Sequence, residues 1–268
     1  MAIPDLYREL ESIGNDYGAA FVATYREAKL QASDPSDIPF SKERLVYHGS
    51  QLVRHGISKR ELVIKNFPDA LYTFRARADL PDEIRKDGDF AIVGRGKGHY
   101  AFVKIPMPNR LRFPPTMNTV RIQNVIPDCV RQYMGNDEQG MLTRIQANDL
   151  IAKYLGLKAS FRLQSHLRIY VKKYGQVEVD ELYVGRTDAG YVGIAVEAKN
   201  EAQDDCLNVS QLFGTAQALK AIFPSSMPKH LIGAKPDTSG RICLAEFAVA
   251  DRPADVKLIR AWCAYELV

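Results

Sequence analysis

Apolar residues recur at every second position in Gln176-Val-Glu-Val-Asp-Glu-Leu-Tyr-Val184, with Gly175 and Gly185 at the ends. A second apolar run, Tyr191-Val-Gly-Ile-Ala-Val-Glu-Ala-Lys199, follows the short polar stretch Arg186-Thr-Asp-Ala-Gly190. Period two predicts two strands, and the connector with its terminal glycine predicts an antiparallel hairpin. Asn208 to Phe223 then carries Leu212, Thr215, Leu219 and Ile222 at helical spacing and stops at Pro224. Strands are expected at Leu231 to Ala234 and Ile242 to Ala250, and Val256, Ile259, Trp262 and Cys263 read as a last helix. Upstream, Met141 to Leu155 reads as one helix between Gly140 and Gly156.

The first half is patterned differently. Helical spacing runs through Leu6 to Leu30, Asp34 to Pro39 reads as a loop, and a helix is expected from Ser41 to Arg54. After the turn His55-Gly56-Ile57, Ser58-Lys-Arg-Glu61 has the form of a capping box. Two helices joined by a short turn containing glycine suggest a helix-turn-helix, with Lys59 and Arg60 opening its second helix; an ordinary helix pair has the same pattern. Phe90 to Lys104 reads as a hairpin with a glycine-rich basic loop. It is not a nucleotide-binding loop, because Gly98 rather than Ser or Thr follows Lys97 and no helix pattern comes next. Prolines 106, 108, 114 and 115 break the pattern, and the polar stretch Met134 to Gln139 marks a border. The expectation is an N-terminal DNA-recognition region over 1–135 and a catalytic α/β (α+β) domain over 136–268, with a mixed central sheet flanked by helices.

Chemistry enters with the acids in the strand runs. Asp180 sits on the first strand, and Glu197 and Lys199 share one face of the second, opposite the core-facing Val196 and Ala198. Carboxylates in apolar strands are costly without a partner or a metal. Two carboxylate oxygens suit Mg²⁺, a hard cation that keeps several waters, and a lysine beside them can place the attacking water and offset developing charge. Glu178 on the same face and Glu181 on the opposite one are alternatives to Asp180. The acid-x-Lys tripeptide is weak evidence alone, since it also occurs as Glu27-Ala-Lys29 and Asp255-Val-Lys257. Those two copies fall in helical patterns, and only the middle one follows an acid-bearing strand.

These residues resemble the PD-(D/E)xK nuclease superfamily over about the last half of the chain. The resemblance implies a restriction-endonuclease-like core, metal binding by Asp180 and Glu197 with Ala198 in the same set, and water activation by Lys199. It makes Gln211 a helper of the site, although Thr215 stands where an aromatic is expected four residues on, and a plain surface role suits Gln211 equally. Asp149, placed between Leu142 and Ile145 on a helical wheel, is a possible third acid or an ordinary capped or paired residue. Glu201, Asp204 and Asp205 read as solvated loop charge.

The chain has 268 residues and a net charge of +4, ordinary for a globular protein. Its charge is uneven: Ala91 to Arg131 holds Arg95, Lys97, Lys104, Arg110, Arg112, Arg121 and Arg131 against the single acid Asp128. Lys158, Arg162, Arg168, Lys172 and Lys173 precede the Asp180 strand. Such stripes suit a phosphate backbone or a solvated basic face. The DNA-binding candidates are Lys59, Arg60, Arg95, Lys97, Arg110, Arg112, Lys172 and Lys173. Four scattered cysteines indicate neither zinc nor disulfides, and no leader or membrane-length apolar run is present, so a cytoplasmic protein is expected. The resulting expectation is a Mg²⁺-dependent endodeoxyribonuclease, with Mn²⁺ as a substitute ion. A homodimeric type II restriction endonuclease acting on double-stranded DNA, with no nucleotide cofactor, fits best. A repair or phage-defence nuclease acting on branched or single-stranded DNA and a non-catalytic DNA-binding protein with a nuclease-like fold are the alternatives.

Overall fold

Two separate apolar cores organise the chain, whose computed structural model describes residues 5–10, 13, 16–58, 67–112, 114, 117–200 and 206–268. The chain divides into two units, Met1–Arg110 with Lys172–Gly175, and Leu111–Val171 with Gln176–Val268. Apart from Lys172–Gly175, residues 136–268 all belong to the second unit, together with 111–135.

In the first unit, helix α1 (Asp16–Gln31) and helix α2 (Lys42–Arg54) flank strand β1 (Asp37–Ser41) in the chain. Ser41 ends the strand and caps α2, its hydroxyl accepting the Arg44 amide at 3.3 Å. Helix α3 (Phe67–Tyr72) runs into a π-helical turn at Thr73–Arg77, and strands β2 (Phe90–Gly94) and β3 (His99–Lys104) form the expected hairpin. The three strands make an antiparallel sheet in the order β1-β3-β2. Phe21 of α1 meets Phe40, Phe74 and Phe102 edge to face at its centre. The expected loop over Asp34 to Pro39 is thus corrected: its second half is β1, an edge strand, where a proline is tolerated.

This unit also disposes of the first tripeptide. Glu27 binds Arg44 and lies 3.1 Å from Nε2 of the fully buried His48, whose Nδ1 is 2.9 Å from the Tyr7 hydroxyl. Lys29 pairs with Asp87 at 2.6 Å. Glu27 is consumed in holding α1 to α2, and Lys29 in holding α1 to the turn at Asp87. The helix expected to start with Lys59 and Arg60 lies outside the described residues.

The second unit contains β4 (Asn118–Ile122), helices α4 (Glu138–Ala147) and α5 (Leu150–Leu155), and strands β5 (Ala159–Val171), β6 (Gly175–Arg186) and β7 (Tyr191–Ala198). Helix α6 (Val209–Ile222) and strands β8 (Lys229–Pro236), β9 (Ile242–Phe247) and β10 (Leu258–Leu267) complete it. Among the described residues these strands form one mixed sheet, β4-β10-β9-β8-β7-β6-β5, in which β7 with β8 and β10 with β4 are parallel. Leu142, Ile145, Leu150 and Tyr154 pack on Tyr183, Ile194, Val196, Ile232 and Leu244. On the opposite face α6 lies so close that a Cβ on Gly193 would come within 2.4 Å of the Phe223 ring. The unit is therefore a mixed sheet flanked by helices.

Three expectations change here. Met141 to Leu155 is two helices, because Asn148 and Asp149 form a turn in which Asp149 takes a left-handed conformation at φ +48°. Asp255-Val-Lys257 does not open a helix: Pro253–Asp255 is a single 3₁₀ turn and the rest is β10, an interior strand. Register shifts against β9 between Leu258 and Arg260 and between Arg260 and Cys263 break its period of two, so its apolar residues imitate helical spacing. Strand β5 was not anticipated, although Phe161, Leu163, Leu167, Ile169 and Val171 fall at every second position: Lys158, Arg162 and Arg168 made the stretch read as a basic stripe.

Candidate active site

Strands β6 and β7 pair antiparallel from Glu181↔Val196 to Arg186↔Tyr191, the hairpin expected from the sequence. One step beyond that ladder the carboxylate of Asp180 replaces a backbone acceptor: its Oδ2 takes the Ala198 amide hydrogen at 2.7 Å. The other oxygen of Asp180 has no hydrogen-bond partner among the described residues. Glu197 and Lys199 leave β7 on the α6 side and are both buried, at 3% and 5% exposure. Lys199 Nζ donates to Glu197 Oε1 at 2.9 Å and to the Ala198 carbonyl at 2.8 Å. Thr215 of α6, also buried, donates to the second oxygen of Glu197 at 3.1 Å. The residue noted as a departure from the family pattern therefore bonds the central carboxylate.

Two carboxylates and one ammonium in a buried site leave negative charge uncompensated. Burial, and after it the Glu197 carboxylate, push the Asp180 carboxyl up to about 8, against the opposing pull of Lys199 and the Ala198 amide. Glu138 adds to the upward push. This half-buried acid opens α4 next to its N-cap Asp137, whose side chain accepts the Gly140 amide at 2.8 Å. Sequence reasoning passed over Glu138, which lies in the polar stretch taken as a border. The one signal was its place at the start of a helix, behind an N-cap aspartate.

The three acids of β6 are separated by their partners. Glu178 is half exposed and pairs with Arg168 at 3.0 Å and His166 at 3.4 Å. Glu181, fully buried, is held by Arg162 at 3.0 Å, by Ser165 and by the Tyr183 hydroxyl. Asp180 alone stands beside a second carboxylate. Asp149 accepts a hydrogen bond from Ser160 at 2.5 Å. Gln211 is engaged in the cap of α6, its amide donating to Asn208 Oδ1 at 2.8 Å while its side-chain oxygen meets the Asn208 amide group. Glu201, Asp204 and Asp205 lie outside the described residues.

Many of the basic residues in the stripes are paired with acids, several of them distant in sequence. Arg95 pairs with Asp37, Arg110 with Asp79 at 3.8 Å, Arg121 with Glu266 at 2.8 Å and Arg131 with Asp128. In the second stripe Lys158 pairs with Asp188, Arg162 with Glu181 and Arg168 with Glu178. Lys97, Lys104, Arg112, Lys172 and Lys173 are exposed, with no ion-pair partner among the described residues.

Among the described residues no group of three or more His, Cys, Asp or Glu side chains is disposed to hold a metal. The donor set of two carboxylates and the Ala198 carbonyl nonetheless fits Mg²⁺, which is commonly bound through one or two carboxylates and retains waters. The raised Asp180 carboxyl marks the same position as one where positive charge is favoured. No described helix is long and apolar enough to cross a membrane. No family model, curated protein or solved structure matches the chain.

Proposed function

We propose that the protein is a Mg²⁺-dependent endodeoxyribonuclease with a PD-(D/E)xK core, cutting double-stranded DNA as a homodimer in the manner of a type II restriction endonuclease. One observation carries this reading: Asp180 and Glu197 stand together on neighbouring strands with Lys199, and Asp180 is pushed up to about 8 by burial and by Glu197. A structural ion pair would have lowered it. Asp180, Glu197 and the Ala198 carbonyl would hold the ion, which when bound polarises the phosphate and supplies a water of lowered pKa. Lys199 holds Glu197 and neutralises charge as it develops on the phosphate. Thr215 fixes the Glu197 carboxylate, and the apolar packing of Val196 and Ala198 keeps both strands in place. The homodimer rests on the need for two sites to cut two strands.

A plasmid assay with Mg²⁺ and with EDTA tests the proposal. Discrete EDTA-sensitive fragments are expected, and smearing points to a non-specific or repair nuclease. Metal-dependent cleavage that survives both Asp180→Ala and Lys199→Ala removes the assignment, and DNA binding without any cleavage favours a binding protein.

A further inference from the structure

Three of the lysines left unpaired in the two basic stripes do not stay apart. Within the first unit the β2–β3 loop, carrying Arg95 and Lys97, lies against the turn Lys172–Tyr174. The Gly96 amide donates to the Tyr174 carbonyl at 3.3 Å, and a Cβ on Gly94 would come within 2.1 Å of the same oxygen, so only glycine permits this approach. The Tyr174 side chain is buried, and its hydroxyl accepts from Arg75 at 3.2 Å, which fixes the turn from its other side. Two segments some 75 positions apart in sequence thereby present Lys97, Lys172 and Lys173 to solvent on one ridge. The acids nearby are already engaged: Asp37 holds Arg95, and Glu43 faces His99 and the Ser41 cap.

We infer that this loop pair is a contact surface for the phosphate backbone of duplex DNA. The inference rests on the nuclease reading for its choice of polymer. Unpaired lysines on turn tips are point charges suited to phosphates and carry no sequence information. The tips, 95–98 and 172–175, show no exposed aromatic or aliphatic side chain, which disfavours a single strand, bound by base stacking, and a lipid surface, bound by apolar insertion.

The test measures binding of a short fluorescent duplex to the full-length protein with Ca²⁺ in place of Mg²⁺, across about 50 to 200 mM salt. Each lost phosphate contact lowers the slope of log affinity against log salt by about 0.9, so Lys97→Ala with Lys172→Ala and Lys173→Ala should lower it by roughly 2 to 3. The Lys→Arg triple variant should keep the wild-type slope. None of the three side chains makes a hydrogen bond or ion pair among the described residues, so the substitutions spare the fold. An unchanged slope and affinity in the alanine variant overturns the inference, as does a wild-type protein that binds a single strand in preference to duplex or binds no duplex at all. Salt-dependent duplex binding lost in the variant, from a wild type that cuts nothing with Mg²⁺, upholds the surface and removes the nuclease.

Discussion

Asp180 and Glu181 are consecutive residues of one strand, the first half-buried and the second fully buried, and they have opposite fates. Glu181 faces α4 and α5 and is met by a guanidinium and two hydroxyls, so its charge is matched where it is buried. Asp180 faces α6 and is met by one amide and another carboxylate, and its carboxyl rises to about 8. Depth of burial does not account for the difference, since Asp180, whose carboxyl rises, is the less buried of the two. What marks a site is charge that the fold has buried without completing its partners.

The largest break in that comparison is chemical. Asp180→Asn should lower metal-dependent cleavage by about 10³-fold or more, as expected when a charge placed for the transition state is lost, while leaving the protein folded. Glu181→Gln should leave the chemistry of the folded protein in place. Single-turnover cleavage of plasmid DNA measures both, and equal losses in the two variants would erase the distinction.

Titration sharpens the contrast. A carboxyl that ionises near pH 4 in an unfolded chain and at about 8 here keeps, between those values, a proton that the unfolded state lacks. Its contribution to stability is therefore complete below about pH 4 and is lost as the pH rises through about 8. Mg²⁺ needs the ionised form, so its affinity should climb roughly tenfold per pH unit up to about 8, with a proton released on binding. Calorimetry in buffers of different ionisation enthalpy reads the proton, and a Mg²⁺ affinity flat between about pH 6 and 8 would count against the coupling. In Asp180→Asn the loss of apo stability with rising pH should flatten.

The sequence made the hairpin readable because β6 alternates in its first half and β7, buried on both faces, is a continuous apolar run, and the two-residue period of a strand put Glu197 and Lys199 on one side. It did not reveal Glu138, whose charge acts on Asp180, or Thr215, which bonds Glu197, since each belongs to a helix whose place depends on packing far along the chain. Basic stripes were visible as composition, but their neutralisation was not: the partners of Arg95 and Arg121 lie 58 and 145 residues away. β10 was misread because two register shifts spoil its period, whereas β5, whose apolar residues do alternate, was passed over because its interleaved Arg162 and Arg168 read as part of a basic stripe.

Breaking the matched acid has a structural cost. Glu181→Gln removes the charge that Arg162, Ser165 and Tyr183 serve, and severing a buried pair is worth about 3 to 5 kcal/mol. Arg162 is about one-third exposed and can turn to water, so the lower end, about 3 kcal/mol, is expected. Urea unfolding at neutral pH checks this, and a change below about 1 kcal/mol would show that Glu181 is no better matched than Asp180.

The smallest effect concerns Thr215, the hydroxyl that bonds Glu197. Its bond to Glu197 Oε2 at 3.1 Å is buried and points the carboxylate, so Thr215→Val, nearly equal in shape, removes direction without opening a cavity. Partners of this kind tune metal affinity by about 10- to 100-fold, and since Lys199 still holds Oε1 the lower figure applies. Mg²⁺ affinity should weaken about tenfold, Thr215→Ser should restore it, and the maximal cleavage rate at saturating Mg²⁺ should change little. If Ser and Val behave alike, the hydroxyl merely fills space and Glu197 is oriented by its lysine alone. If the rate falls at saturating Mg²⁺ while affinity is kept, Thr215 acts after the ion is bound, and the poorly matched face of the sheet carries one more functional group than its geometry at rest displays.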